Sequence, residues 1–355
     1  MYYHRILITG GAGFVGSNLA VSLRRNFPDV EVVVLDNLMR RGSDLNLPRL
    51  QAASVVFQRG DVRNLADIDA VGPFDLLIEC SAEPSVHAGL EAPKELIDIN
   101  FNGAVNCLEA ARKRGAAVLF VSTSRVYPIE PINALSFEES ESRFEWTDTV
   151  GVAETFPLHG RRSLYGTSKL AAELLIAEYV HHFDMRCLIN RCGVLAGPWQ
   201  MGKVDQGVVT LWVARHRFAR PLSYIGWGGI GKQVRDILHV DDFFDLLKLQ
   251  MASPEIWDGR VYNVGGGRGS SASLLELTAL CQTATGNTVQ IESNPETSDV
   301  DVRIYITDCG KVTADLGWTP TRDVPRIVAD INRWLAENEA LLSPLFLDHR
   351  DTTID

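Results

Sequence analysis

A doubly wound, parallel α/β sheet with a smaller C-terminal α/β lobe is the fold class this sequence predicts, and three observations carry it. A short apolar run at residues 5–9 stops at the cluster Gly10-Gly11-Ala12-Gly13-Phe14-Val15-Gly16, after which residues 17–23 continue with helical periodicity. A second apolar, β-prone run at 31–36 closes on Asp36. Strand-like and helix-like segments then keep alternating, at 55–62, 74–80, 93–114 and 117–122, the pattern of parallel strands covered on both faces by helices.

The opening strand, glycine turn and helix read as a Rossmann dinucleotide cradle. Gly10, Gly13 and Gly16 allow a tight turn and a close approach of backbone to a pyrophosphate, while the amides of Phe14, Val15 and Gly16 open the helix with unpaired hydrogens and a partial positive charge. Asp36 stands twenty positions after Gly16, where a carboxylate hydrogen-bonds a ribose diol. It would repel a 2′-phosphate, so NAD is the expected cofactor; Arg40 and Arg41 are the features that keep NADP as the alternative. The third run ends in Asp61-Val62, placed to meet an adenine edge, and Asp61 serves equally well as a helix N-cap.

At 355 residues the chain exceeds one typical domain, and two lobes sharing a cleft are expected. We expect residues 1–190 to bind the dinucleotide, rejoined by about 236–262, and residues 191–355 to form the second lobe. The formal charge of −11 argues against nucleic acid or an anionic membrane as partner, because both reward a basic face. Cys80, Cys107, Cys187, Cys192, Cys281 and Cys309 are scattered without a C-x-x-C, which suits reduced thiols in a cytoplasmic protein and no disulfide or zinc site. His159, His181, His182 and His239 lack metal-ligand spacing, so no metal is expected. The apolar run at the N-terminus is too short for a signal peptide, and nothing approaches the length of a membrane span.

Ligands of such sheets bind beyond the carboxyl ends of the strands, which places Ser122-Thr123-Ser124 at the cleft. Tyr165 and Lys169 lie four apart, ahead of a run of helix formers at 170–179. On one helix face an ammonium sits beside a phenol and is expected to make it a tyrosinate at neutral pH. In the second lobe Arg191, Lys203, Arg235 and Arg303 are candidates for gripping phosphates, since guanidinium groups suit bidentate contacts. Each is equally a candidate for an ordinary ion pair.

Together the glycine turn, Asp36-Asn37, Asp61, Thr123 ahead of Val126-Tyr127, and Tyr165-x-x-x-Lys169 resemble the extended short-chain dehydrogenase/reductase superfamily, in its nucleotide-sugar epimerase and dehydratase branch. The resemblance spans nearly the whole chain. It implies an NAD enzyme with Thr123, Tyr165 and Lys169 as catalytic trio, Asn37 and Asn100 beside the cofactor, Ser124 beside the substrate, and Arg235 and Arg303 on a diphosphate. It also implies a homodimer or higher homo-oligomer. The resembled dehydratases carry an Asp-Glu pair where this chain has Ser124-Arg125, so elimination of water is disfavoured. Segments 36–47, 205–207 and 231–239 are similar to the CDP-paratose 2-epimerase (CDP-tyvelose epimerase) group, whereas 146–162 matches nothing in it. The expected activity is therefore inversion of a nucleotide-diphosphate sugar at carbon 2 through a transient ketosugar. A 4-epimerase, a dehydratase or reductase, and a non-catalytic NAD(H) sensor or scaffold are the alternatives.

Overall fold

The computed structural model describes residues 2–86, 88–201 and 207–347. Lys203 and the 205–206 part of the similar segment lie outside them. Seven parallel strands form the main sheet: β1 (Arg5–Thr9), β2 (Glu31–Asp36), β3 (Val56–Arg59), β4 (Leu76–Glu79), β5 (Ala117–Thr123), β6 (Cys187–Cys192) and β7 (Asp258–Val264). They run in the order β7-β6-β5-β4-β1-β2-β3, so the order reverses between β1 and β4 and opens a crevice at their carboxyl ends.

The central strands are apolar on both faces because both faces are covered. Along β1, Ile6 and Ile8 point into one core with Leu19, Val34, Ile78, Leu119 and Leu188, backed by the helices α1 (Phe14–Asn26) and, from the second half of the chain, Val240–Ala252. Leu7 points into the opposite core with Val33, Leu77, Val118, Phe120 and Ile189. That face is covered by α2 (Gly103–Arg114), through Ala104, Leu108 and Ala111, and by α3 (Leu164–Phe183), through Ala172 and Ile176.

The helix expected at 93–114 is interrupted. Pro93–Ile97 leads through a π-helical turn, Asp98–Asn102, before α2 begins. One residue is thereby inserted into the helical register, and Asn100 is turned inward, where it is buried.

The C-terminal part adds a smaller sheet. Val234–His239 pairs antiparallel with Ser271–Ser273 and parallel with both Ile304–Tyr305 and Val194–Ala196. It rests on a core built around Trp212, Ile327, Ile331 and Trp334. The unassigned 146–162 stretch straps this sheet to the first: the Val152 amide donates to Ile306 O at 2.8 Å, and Glu154 Oε1 accepts the Asn263 amide of β7 at 2.7 Å. No helix of the described residues is long and apolar enough to cross a membrane.

Candidate active site

The glycine turn is shaped by close contacts that leave no room for side chains. Gly10 adopts φ +64°, and a Cβ there would sit 2.8 Å from the Cys80 backbone; one on Gly16 would sit 2.4 Å from the Gly10 carbonyl oxygen. Gly13 begins α1 without a capping side chain, so the amides of Phe14, Val15 and Gly16 are offered to a ligand. Asp36 closes β2 beside them, its Oδ2 accepting the Ala12 amide at 3.0 Å and its Oδ1 the Leu38 amide at 2.8 Å. Burial raises its pKa, against the pull of those amides. Asn37 Nδ2 donates to Asp61 Oδ2 at 2.9 Å, which joins the ends of β2 and β3. Arg63 grips the same carboxylate and holds Asp61 down at about 2. Val62 is buried against Gly103, and its carbonyl accepts from Asn106 at 2.8 Å. The cradle fits a pyrophosphate, and the carboxylate beside it fits a ribose diol. Gly16→Ala should therefore weaken NAD binding by about tenfold or more, because the new methyl group meets backbone that cannot yield; calorimetric titration with NAD measures it.

The expected trio comes together where β5 meets α3. Ser163 caps α3, its Oγ accepting the Gly166 amide at 3.2 Å. Gly166 is required for the approach, since a Cβ there would lie 2.0 Å from the Arg125 carbonyl oxygen. That contact brings Tyr165 to the end of β5, where the Thr123 hydroxyl pulls the pKa of its phenol down. Of the three neighbouring hydroxyls only Thr123 does so. Ser122 donates to Glu173 Oε1 at 2.5 Å, and Ser124 lines the open cavity.

The phenol does not follow the tyrosinate expectation. Burial pushes Tyr165 above its ordinary value, and Lys169, Thr123 and Arg125 only partly counter it. The ammonium is itself paired on its far side. Lys169 Nζ stands 3.1 Å from Glu79 Oε2, with both side chains nearly inaccessible, and 4.4 Å from the centre of the Phe120 ring.

Asn100 is held by protein groups: its Oδ1 accepts the Glu83 amide at 2.8 Å, and its Nδ2 donates to Glu83 O and to Ser168 Oγ. The π-turn aims it at the loop after β4, which it holds against α3. The expectation for Arg191 is corrected, since that residue does not border the cavity. Its guanidinium is 5 % exposed and engaged by Glu173 Oε2, at 2.7 Å, and by Tyr127 Oη, at 3.0 Å. As a residue of β6 in register with β5 and β7, it points into the interior.

Arg235 lines a cavity with Ser124, Arg125, Tyr127, Ser163 and Tyr305, next to the trio. It donates to Asp301 Oδ1 and Val302 O, both at 2.7 Å, and burial lowers its pKa. Arg125 faces it, its Nη1 donating to Val300 O at 3.1 Å, so two guanidinium groups border one cavity. Arg303 lies further out, packed on Phe137 at 3.8 Å and Trp227 at 4.6 Å, with burial lowering its pKa.

Glu79, Arg125 and Glu173 are the site residues that sequence reasoning passed over. Glu79 had a signal: like Asp36, it is a carboxylate ending an apolar strand at the crevice edge. Glu173 had none, because the helix periodicity around it gives no hint of a buried partner on β6.

Comparison with known proteins agrees with this architecture. A family model described as Epimerase, NAD dependent epimerase/dehydratase family, matches residues 6–265. CDP-paratose 2-epimerase of Salmonella typhi is 29% identical over 328 residues, covering 89% of this chain and 94% of the relative. Among solved structures, a Thermus thermophilus UDP-glucose 4-epimerase in complex with NAD aligns with TM-score 0.74 at 26% identity, covering 93% of this chain and 98% of that one. A Streptomyces venezuelae dTDP-glucose 4,6-dehydratase with NAD bound aligns with TM-score 0.79 at 27% identity, covering 96% and 99%.

Proposed function

Because the chain belongs to the NAD dependent epimerase/dehydratase family, we propose that it epimerises a nucleotide-diphosphate sugar, inverting carbon 2 of the hexose. The likeness to CDP-paratose 2-epimerase supports the carbon assignment. One observation carries epimerisation over dehydration. The cavity beside Thr123 and Tyr165 is lined by Ser124 and Arg125, and no carboxylate stands among the described residues that line it. Expelling water from a sugar needs a proton donor at the departing hydroxyl, and an arginine that stays charged is a poor one.

In this reading Tyr165 takes the proton of a sugar hydroxyl and later returns one. Thr123 hydrogen-bonds the same oxygen as charge develops, and Lys169 steadies the phenolate and the ribose. Ser124 contacts the sugar. Arg125 and Arg235 favour the diphosphate within the cavity, and Arg303 takes its outer end, so that residues 191–355, apart from about 236–262, act as the substrate-binding lobe. The amides from Gly10 to Gly16, with Asp36, Asn37, Asp61 and Val62, hold NAD. NAD, when bound, supplies the acceptor and then the donor of the hydride. Assembly with a second copy is part of the same reading, since Leu174 of α3 is 64% exposed and Ile97 39%.

A second reading, inversion at carbon 4, is favoured by the likeness to a UDP-glucose 4-epimerase and uses the same residues. Incubation with CDP-, UDP-, GDP- and dTDP-hexoses in heavy water, followed by NMR of the sugar, separates the two. Inversion at carbon 2 without deuterium at that carbon is the expected result. Deuterium there would indicate carbanion chemistry and overturn hydride return, and loss of water would overturn epimerisation.

A further inference from the structure

We propose that Glu79 is a positioning residue for this site: it anchors the Lys169 ammonium and shares its charge, so that Tyr165 holds its proton more tightly than a phenol facing an unpaired ammonium would. The inference rests on Tyr165 being the base and adds to it the residue that sets its strength.

The geometry is that of a chain of three groups, two of them buried and the phenol only partly so. Glu79 ends β4, in register with Thr9 of β1 on one side and Phe120 of β5 on the other. Its Oε2 lies 3.1 Å from Lys169 Nζ, with side-chain exposures of 3% and 2%. The Ser81 amide also donates to the carboxylate. Lys169 sits one helical turn beyond Tyr165, over the Phe120 ring, and so stands between the carboxylate and the phenol.

Burial pushes the Glu79 carboxyl up, against the pull of Lys169, and among the described residues three thiols and one guanidinium also face the three groups. Cys80 follows Glu79, Cys107 comes from α2 and Cys192 from β6; burial pushes all three thiols up, so they stay uncharged. Arg125 alone brings a second positive charge towards the phenol. Burial works against the Lys169 ammonium, yet Glu79 and Tyr165 outweigh it and hold that group above its ordinary value.

In so dry a site charges are poorly screened, and a carboxylate behind the ammonium cancels much of its field at the phenol. With Glu79 ionised, loss of the phenolic proton leaves a net negative charge on the three groups. Without it, the same loss leaves tyrosinate and ammonium in balance. Removing the carboxylate charge should therefore let the phenol ionise at lower pH.

The test needs no sugar. The tyrosinate absorbance of NAD-loaded protein, titrated with pH and differenced against Tyr165→Phe, reports that one phenol. The same pair of titrations in a Glu79→Gln background should show the midpoint lowered by about one pH unit or more. A midpoint unmoved or raised overturns the proposal. Should Glu79→Gln fail to fold, Glu79→Asp withdraws the charge from Lys169 on a shorter arm and should lower the midpoint by less, with the same overturning result. Because the readout is the phenol itself, its failure leaves the epimerase reading standing, and failure to invert any sugar leaves this titration intact.

Discussion

Tyr165→Phe is expected to fold, to keep NAD, and to lose about 10²–10⁴-fold in turnover, the usual contribution of a positioned acid–base group. The ring keeps its place between β5 and α3, because the contacts that seat it belong to Gly166 and the Ser163 cap and not to the hydroxyl. What disappears is the phenol beside Thr123, a group that can both take and return a proton. The pH dependence has a definite sign. Burial raises the Tyr165 pKa, so the base form gains population as pH rises, and the parent rate should climb along that limb. The residual rate of the variant should be flat there. Undiminished turnover in the variant, with NAD bound, would remove the proposed chemistry.

The second large effect concerns stability. Arg191→Ala should lower unfolding free energy by about 3–5 kcal/mol, because it strands the Glu173 carboxylate in the interior. The paired side chains are 6% and 4% exposed, so solvent cannot take over from the missing partner. Tyr127 would lose the Arg191 donor as well, leaving Ser122 as a neutral donor to the stranded carboxylate. Replacing both ions, Glu173→Leu with Arg191→Met, should recover most of the loss, since a buried pair exchanged for apolar volume is often neutral. Denaturant unfolding of the two variants measures this. A phosphate-binding arginine would behave in the opposite way: the single variant would keep its stability and raise the substrate KM.

These outcomes separate what was legible in the chain from what was not. Five of the seven strands of the sheet were legible, the central ones because they are buried on both faces and read as apolar runs; Cys187–Cys192 and Asp258–Val264, broken by polar residues, were not. The dinucleotide cradle was legible because its chemistry lies in backbone geometry, which glycine spacing reveals directly. The trio was legible: the four-residue interval of Tyr165 and Lys169 is a local helical fact, and Thr123 followed from its place ahead of Val126-Tyr127, to which the fold adds that Ser122 is occupied by Glu173 and Ser124 lines the cavity.

Arg191 and Arg235 look alike in sequence, two arginines at strands of the C-terminal half. Only packing decides that one points into the interior against a carboxylate on α3 while the other borders an open cavity. Asn100 is a similar case, redirected by a π-turn that no periodicity announces.

The sequence by itself therefore determined the α/β class, the NAD cradle and the phenol–ammonium pair, all of which follow from interactions within a few residues or from strand burial. Tertiary structure alone decided which charges meet. Glu79 and Lys169 are ninety positions apart, and only the fold brings the carboxylate to the ammonium, because no local pattern can announce a partner from a distant strand.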